Sequence, residues 1–273
     1  MTRTFHRFSC EGAQLAATLD SGEQPVGLLI VSGGNEIRAG AHAGMARLGQ
    51  AISSAGYSVF RYDRRGIGDS DGTNAEFEGA ESDYAAAIRH FRTICPHVTK
   101  IVAFGNCDAA TSIALFQNIV NVDMLVLANP WVYESADLPD SSPSSPPPSA
   151  IRARYWDRLK NPRTILDVLG GKINFRKLFK GLKQATQKQE NGELAIKLHK
   201  ALLGIDKKTE VLISSRDTTA RVFLAAWQSS DFSRARKNSN ITVQTIDSAS
   251  HSFADEKSKA WLEKRLLAAL KSF

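Results

Sequence analysis

Cys107, Asp217 and His251 are the residues whose types and positions indicate shared chemistry. Each follows, within five residues, the end of an apolar run with the length of a buried strand. In a parallel α/β sheet, ligands bind beyond the carboxyl ends of the strands, so side chains at these ends converge on one edge. A thiol, a carboxylate and an imidazole can act there as nucleophile, orienting group and base.

The thiol is predicted to lie at a sharp turn between a strand and a helix. Gly105 and Ala109 stand two residues before and two after Cys107. Small residues at these positions let the strand turn directly into the helix and expose the side chain between them. The positive end of the helix dipole then favours the thiolate. The alternative is a small buried cysteine that fills the junction between strand and helix.

The predicted base is His251, in the polar loop Ser248–Phe253 before a helix, where a structural histidine would have little to pack against. Asp217 is predicted to orient it, and Asp247 competes because it lies four residues from the histidine. The other histidines lack such a context and are predicted to be surface or helix residues; they are His6, His42, His90, His97 and His199.

The glycine-containing segment Ser32–Asn35 follows the first parallel strand of the predicted sheet. Acyl transfer needs two backbone N–H groups aimed at the developing oxyanion. We expect one from Asp108, directly after the thiol, and the other from Gly34, with Asn35 as a further candidate. The alternative is a plain glycine turn. A second glycine-rich segment, Asp63–Ser70, lacks the Gly-Lys-Ser/Thr ending of a phosphate loop and is predicted to be a structural turn.

Alternating strand and helix patterns predict an α/β fold with a mostly parallel sheet and helices on both faces. An antiparallel hairpin is expected over Thr2–Leu19, with its turn near Glu11-Gly12. The pattern breaks at Pro130. We therefore predict a core formed by residues 1–130 and 209–273, interrupted at 131–208 by a Pro/Ser-rich connection and a basic helical cap.

The 273 residues carry a net charge of +7, but Ile151–Lys208 alone holds 15 Lys/Arg against 5 Asp/Glu. A nucleic-acid-binding protein would spread its basic charge over the fold, so no nucleic-acid partner is expected. The apolar residues of Phe175–Leu182 recur at helical spacing between basic ones. They predict packing of the cap on the core, or contact with an anionic membrane or polysaccharide surface.

Three scattered cysteines are too few for a disulfide scaffold or a zinc site, and a cytoplasmic location is the default expectation. No metal and no organic cofactor is implied, the expected partner is a small-molecule acyl substrate, and the oligomeric state is not indicated.

These residues resemble the α/β-hydrolase superfamily along nearly the whole chain. Ser32-Gly33-Gly34 stands where many members have His-Gly-X, and Asp63–Ser70 is similar to their D-x-R-G-x-G-x-S loop. The order of nucleophile, acid and histidine along the chain is also that of the superfamily. More narrowly, Gly33–Asn35, Gly105–Ala110 and Ala153–Leu159 resemble one of the two exosortase A system-associated hydrolase families. That resemblance implies a cytoplasmic hydrolase encoded with exopolysaccharide production and protein-sorting systems.

Two positions depart from the superfamily pattern. Cys107 replaces the usual serine, as in dienelactone hydrolases and polyhydroxyalkanoate synthases, and Ala109 replaces the second glycine of the turn. The sequence therefore predicts an α/β-hydrolase with an inserted cap that cleaves an ester or thioester through a Cys107 thioester. Two alternatives stay open: an acyltransferase that uses the same thioester, and a binding protein that has lost turnover.

Overall fold

A computed structural model of the protein describes residues 2–118, 121–132 and 192–273. The strands are β1 (Arg3–Cys10), β2 (Ala13–Asp20), β3 (Val26–Val31), β4 (Ser58–Tyr62), β5 (Lys100–Asn106), β6 (Met124–Ala128), β7 (Lys208–Ser214) and β8 (Ile241–Ile246). The helices are α1 (Gly44–Ser54), α2 (Glu81–Ile94), α3 (Asp108–Leu115), α4 (Glu193–Leu203), α5 (Thr218–Gln228) and α6 (Glu256–Leu270). The eight strands form one sheet in the order β1-β2-β4-β3-β5-β6-β7-β8.

Strands β1 and β2 form the hairpin that the sequence predicts. Cys10 pairs with Ala13, so only Glu11 and Gly12 form the turn. Both have positive φ, 47° and 84°, as a tight two-residue hairpin turn requires. Strand β2 then runs antiparallel to β4 and joins the hairpin to the rest of the sheet.

The other five strand pairs, from β4 and β3 through to β8, are all parallel. Every residue of β3, β4 and β6 is buried, because helices cover both faces of a parallel sheet. The predicted mostly parallel sheet with helices on both faces is confirmed. All the parallel strands point the same way, so the residues after β3, β5, β6, β7 and β8 meet at one edge.

Two hydrophobic clusters, one on each face of the sheet, form the core. Helices α1 and α6 pack on one face, and α2, α3, α4 and α5 pack on the other. Burying a large apolar side chain contributes about 1.5–3 kcal/mol, so these two layers dominate the stabilisation of the fold. None of the helices in the described ranges is long and apolar enough to cross a membrane.

Helix α4 lies within 131–208, the range predicted as connection and cap. Its buried residues are Leu194, Ala195, Leu198 and Leu202, and they belong to the same core cluster as α3. The part of the predicted cap range that the structure describes from Glu193 onward therefore packs on the core. The Phe175–Leu182 pattern, and with it the predicted contact with anionic surfaces, lies outside the described residues.

The glycine-rich segment Asp63–Ser70 has the structural role that the sequence predicts. The Asp63 carboxylate is fully buried; it accepts hydrogen bonds from the Arg38 guanidinium and, at 3.1 Å, from the Asp69 N–H. The Ser70 hydroxyl donates to the Asp63 carbonyl at 2.7 Å and accepts from the Ala16 N–H at 2.9 Å. These contacts close the loop on itself and fasten it to β2.

Candidate active site

Cys107 occupies a strained turn between β5 and α3. Its φ of 64° and ψ of −127° lie in a region that residues with a side chain rarely adopt. The turn brings α3 back over the strand so closely that a Cβ on Gly105 would lie 2.8 Å from the carbonyl carbon of Ala109. The Cys107 N–H donates to the Ala128 carbonyl at 2.9 Å, and the Cys107 carbonyl accepts from the Trp131 N–H at 3.2 Å. The end of β6 therefore holds the turn in place.

The thiol of Cys107 is the only one of the three that reaches the surface, and all three cysteines lie in the described ranges. Cys10 is buried, and desolvation together with its contact to Asp83 raises its pKa to about 11. Cys95 is also buried, which raises its pKa too. Cys107 stands directly before the first residue of α3, at the N-terminal end of that helix.

Asp217 and His251 contact each other beside this turn. His251 Nδ1 lies 3.0 Å from Asp217 Oδ2, which leaves Nε2 as the nitrogen that faces away from the carboxylate. Asp217 is also the N-cap of α5, and the same oxygen accepts the Ala220 N–H at 2.9 Å. The carboxylate side chain is only 8% exposed, so a helix end and the loop after β7 fix its position.

The imidazole of His251 is poised to carry a proton. Burial lowers its pKa, but hydrogen bonds and electrostatic attraction from Asp217 and Cys107 raise it to about 10. The side chain is 38% exposed, so solvent screens part of this effect. The contacts place His251 between the other two members of the predicted triad.

Asp247, the competing carboxylate, faces a different partner. It forms an ion pair with Arg216, with 2.9 Å between Nε and Oδ1, and its side chain is 71% exposed. The structure thus brings Asp217 to His251 and leaves Asp247 at the surface.

Gly34 and Asp108, the two predicted oxyanion donors, lie side by side, but a hydrogen bond joins them to each other. The Gly34 N–H donates to Oδ1 of the Asp108 carboxylate at 2.6 Å. A Cβ on Gly33 would lie 2.5 Å from the same oxygen, so the loop approaches this side chain as only glycine allows. Asn35 is exposed, and its side-chain oxygen accepts from Asn74 at 3.0 Å. In this conformation the Gly34 N–H is therefore already occupied.

Two asparagines that the sequence analysis did not single out hold the histidine loop. Asn129 follows β6, is fully buried and has a φ of 42°. Its amide nitrogen donates to the His251 carbonyl at 3.1 Å and to the Asn106 side-chain oxygen at 3.2 Å, while its own oxygen accepts the Ser214 N–H at 2.9 Å. Asn106 also donates to the His251 carbonyl, at 3.2 Å. The network ties the ends of β5, β6 and β7 to the loop that carries the base.

A cavity of about 190 Å³ opens beside Cys107 and His251. Its polar side includes the Ser32–Gly34 loop and Asn106. Its apolar wall consists of Val31, Met45 and Phe104. The cavity lies under the 300–1,000 Å³ of typical ligand pockets, so the described part of the site admits a small group.

The described residues include no group of three or more His, Cys, Asp or Glu side chains that could hold a metal ion.

Comparison with known proteins identifies the fold. No protein-family model matches the sequence, and no curated protein matches it. Among solved structures, an esterase from Pyrococcus furiosus has a TM-score of 0.67 and 16% identity, covering 100% of this chain and 91% of its own. A Butyrivibrio proteoclasticus protein solved with ferulic acid bound has a TM-score of 0.61 and 14% identity, covering 98% and 100%. A serine hydrolase without a lid from Xanthomonas campestris has a TM-score of 0.56 and 12% identity, covering 100% and 95%. The protein thus has the α/β-hydrolase fold.

Proposed function

We propose that the protein hydrolyses an ester or thioester through a covalent acyl-enzyme on Cys107. The observation that carries the proposal is the position of His251, which contacts the Asp217 carboxylate on one side and the Cys107 thiol on the other. A nucleophile beside a base that a third group orients is the arrangement that activates side chains for acyl transfer.

Acylation begins with attack of the Cys107 sulfur on the substrate carbonyl carbon, with the thiol proton held on His251. The new S–C bond moves the carbonyl π electrons onto oxygen, and main-chain N–H groups stabilise the resulting oxyanion. When the oxyanion collapses, the bond to the leaving group breaks, and the imidazolium supplies the proton that the leaving alkoxide or thiolate takes up. The product of this half-reaction is a thioester on Cys107.

Deacylation reverses these roles. His251 removes a proton from water, the hydroxide attacks the thioester carbonyl, and the second oxyanion collapses to release the carboxylic acid and the Cys107 sulfur. Asp217 acts through His251 in both halves, because its hydrogen bond to Nδ1 fixes the tautomer and its charge stabilises the imidazolium.

The cavity beside the triad supports a short acyl group. Its apolar wall of Val31, Met45 and Phe104 can take an alkyl chain. The likeness of Gly105–Ala110 to the exosortase A system-associated hydrolases favours a substrate from exopolysaccharide production, and acylated sugars carry acyl groups of this size.

The test is intact-protein mass spectrometry with p-nitrophenyl esters and thioesters from acetyl to octanoyl, together with acylated sugars. We expect the wild type to gain the mass of the acyl group, peptide mapping to place it on Cys107, and short chains to react fastest. Cys107→Ala should show no acyl-enzyme and no turnover. Cys10→Ala, which removes a buried thiol outside the site, is the matched control and should behave as the wild type.

An acyl group on any residue other than Cys107, or full turnover by Cys107→Ala, would contradict the proposal. The acyltransferase alternative is separated in the same experiment by adding an alcohol or amine acceptor. Hydrolysis gives the free acid whether or not the acceptor is present, whereas acyl transfer gives the acceptor's ester or amide in preference.

A further inference from the structure

The Asp108 side chain lies on the main chain of the loop that was expected to bind the oxyanion. Its Oδ1 accepts the Gly34 N–H at 2.6 Å, and its Oδ2 lies 4.0 Å from Arg64 Nη2. The same Arg64 nitrogen donates to the Gly34 carbonyl. Asp108 and Arg64 are both buried, whereas Gly34 is exposed, so the cluster lies at the edge of the interior and is held by its own contacts.

The carboxylate also faces the N–H groups of the turn itself. Burial raises the pKa of Asp108 above its usual value, although the Gly34 N–H, the Arg64 charge and the N–H groups of Ala109 and Asp108 lower it in part. These N–H groups belong to the nucleophile turn and the neighbouring glycine loop, where an acyl-transfer site places its oxyanion donors. A carboxylate oxygen and a substrate oxyanion would compete for the same donors.

We propose that the Asp108 side chain is an internal occupant of the oxyanion site, and that acylation of Cys107 requires the carboxylate to release the Gly34 N–H. The inference rests on the proposed function, because it concerns the oxyanion of that reaction. Two anions cannot both accept from one N–H group, so the substrate oxygen gains this donor only after the carboxylate moves. Arg64 lies close enough to hold the carboxylate once it has turned away from Gly34.

A purely structural role for the carboxylate predicts the opposite result. If Asp108 only clamps the glycine loop against the turn, removing the carboxylate loosens the loop and slows acylation. If it occupies the site, removing it frees a donor and accelerates acylation. The sign of the change therefore separates the two roles.

The experiment compares two reactions of Cys107 in the full-length protein. Acylation by p-nitrophenyl acetate forms the S–C bond, passes through an oxyanion and expels p-nitrophenolate with its bonding electron pair. Alkylation by iodoacetamide displaces iodide at a saturated carbon and forms no oxyanion. Loss of the Asp108 charge acts on the nucleophile in both reactions, so the readout is the ratio of the acylation rate to the alkylation rate.

Removal of one oxyanion donor slows other enzymes by about 10²–10³, so we expect Asp108→Ala to raise the ratio by about tenfold or more. Asp108→Asn should raise it less, because the amide oxygen still accepts the Gly34 N–H, although more weakly. Asp247→Asn removes an exposed carboxylate outside the site and should keep the wild-type ratio. Thermal unfolding of each variant confirms that it is folded.

A ratio that stays constant or falls in both Asp108 variants, while the wild type acylates normally, overturns this inference alone. If neither the wild type nor any variant acylates although iodoacetamide alkylates Cys107, the proposed ester chemistry fails as well.

Discussion

Replacing Asn129 by alanine should destabilise the fold and loosen the active site together. The substitution leaves the buried Ser214 N–H without its acceptor, which costs about 1–3 kcal/mol. It also removes the donor to the carbonyl of His251 and to the side chain of Asn106, each worth about 1 kcal/mol net. The φ of 42° suits asparagine better than alanine and adds about 1 kcal/mol.

The expected loss is therefore about 4–6 kcal/mol, against a total of about 5–15 kcal/mol for a typical domain. Equilibrium urea denaturation measures this loss in the free energy of unfolding. The slope of that free energy against urea concentration should stay the same. The rate of Cys107 alkylation by iodoacetamide should also fall, because the His251 carbonyl then keeps only the Asn106 donor. Asn121→Ala, at an exposed position, is the matched control and should change neither quantity.

Asn129→Asp separates the contribution of the side chain as an acceptor from its contribution as a donor. It keeps an acceptor for the Ser214 N–H but removes both donors and places a carboxylate oxygen against the His251 carbonyl. We expect it to slow alkylation at least as much as Asn129→Ala. A loss below about 1 kcal/mol for Asn129→Ala, or unchanged alkylation in both variants, would refute the view that this network positions the base.

Three further outcomes follow from the site. At neutral pH, iodoacetamide should modify Cys107 well before Cys10, because a pKa of about 11 leaves Cys10 little thiolate. Peptide mapping over time measures the order, and earlier modification of Cys10 would contradict the prediction. The folded pKa of His251 is raised from 6.5 to about 10, so the stability that Asp217 confers is complete below pH 6.5 and is lost as pH rises through 10. The difference in unfolding free energy between the wild type and Asp217→Asn should shrink over that range, and a constant difference would argue against this ion pair. Gly33→Ala should abolish ester turnover and lower the melting temperature, because its Cβ would lie 2.6 Å from a main-chain oxygen of β5. A variant with the melting temperature of the wild type would show that the loop can move away.

The sequence predicts that three reactive side chains lie together because a local rule applies to each of them. Cys107, Asp217 and His251 follow the ends of strands whose apolar runs are recognisable, and parallel strands bring those ends to one edge. Asn129 obeys the same rule, since it directly follows β6. It was missed because an amide is not itself a reacting group, and its value lies in contacts with strand ends that are distant in sequence.

The Asp108–Gly34 hydrogen bond could not be predicted in this way. It joins residues 74 positions apart and depends on one side-chain rotamer of Asp108. Residue type and periodicity do not indicate which rotamer a side chain adopts. The position of α4 on the core could not be predicted for a different reason. The basic composition of Ile151–Lys208 predicts one character for the whole segment, whereas the four buried residues of α4 pack on α3.

Strands β1 to β6 occupy six neighbouring positions in the sheet, and β7 and β8 extend it from the far side of β6. Two separate polypeptides, 1–132 and 192–273, would each contain strands that are neighbours in the sheet, and the β6–β7 pairing would join them. Cys107 lies on the first and Asp217 and His251 lie on the second. Each fragment alone exposes an apolar strand edge that favours aggregation, so the two must be produced together. The proposed ester cleavage would then arise only from reassembly, which makes the chain a candidate split reporter for the association of two fused proteins.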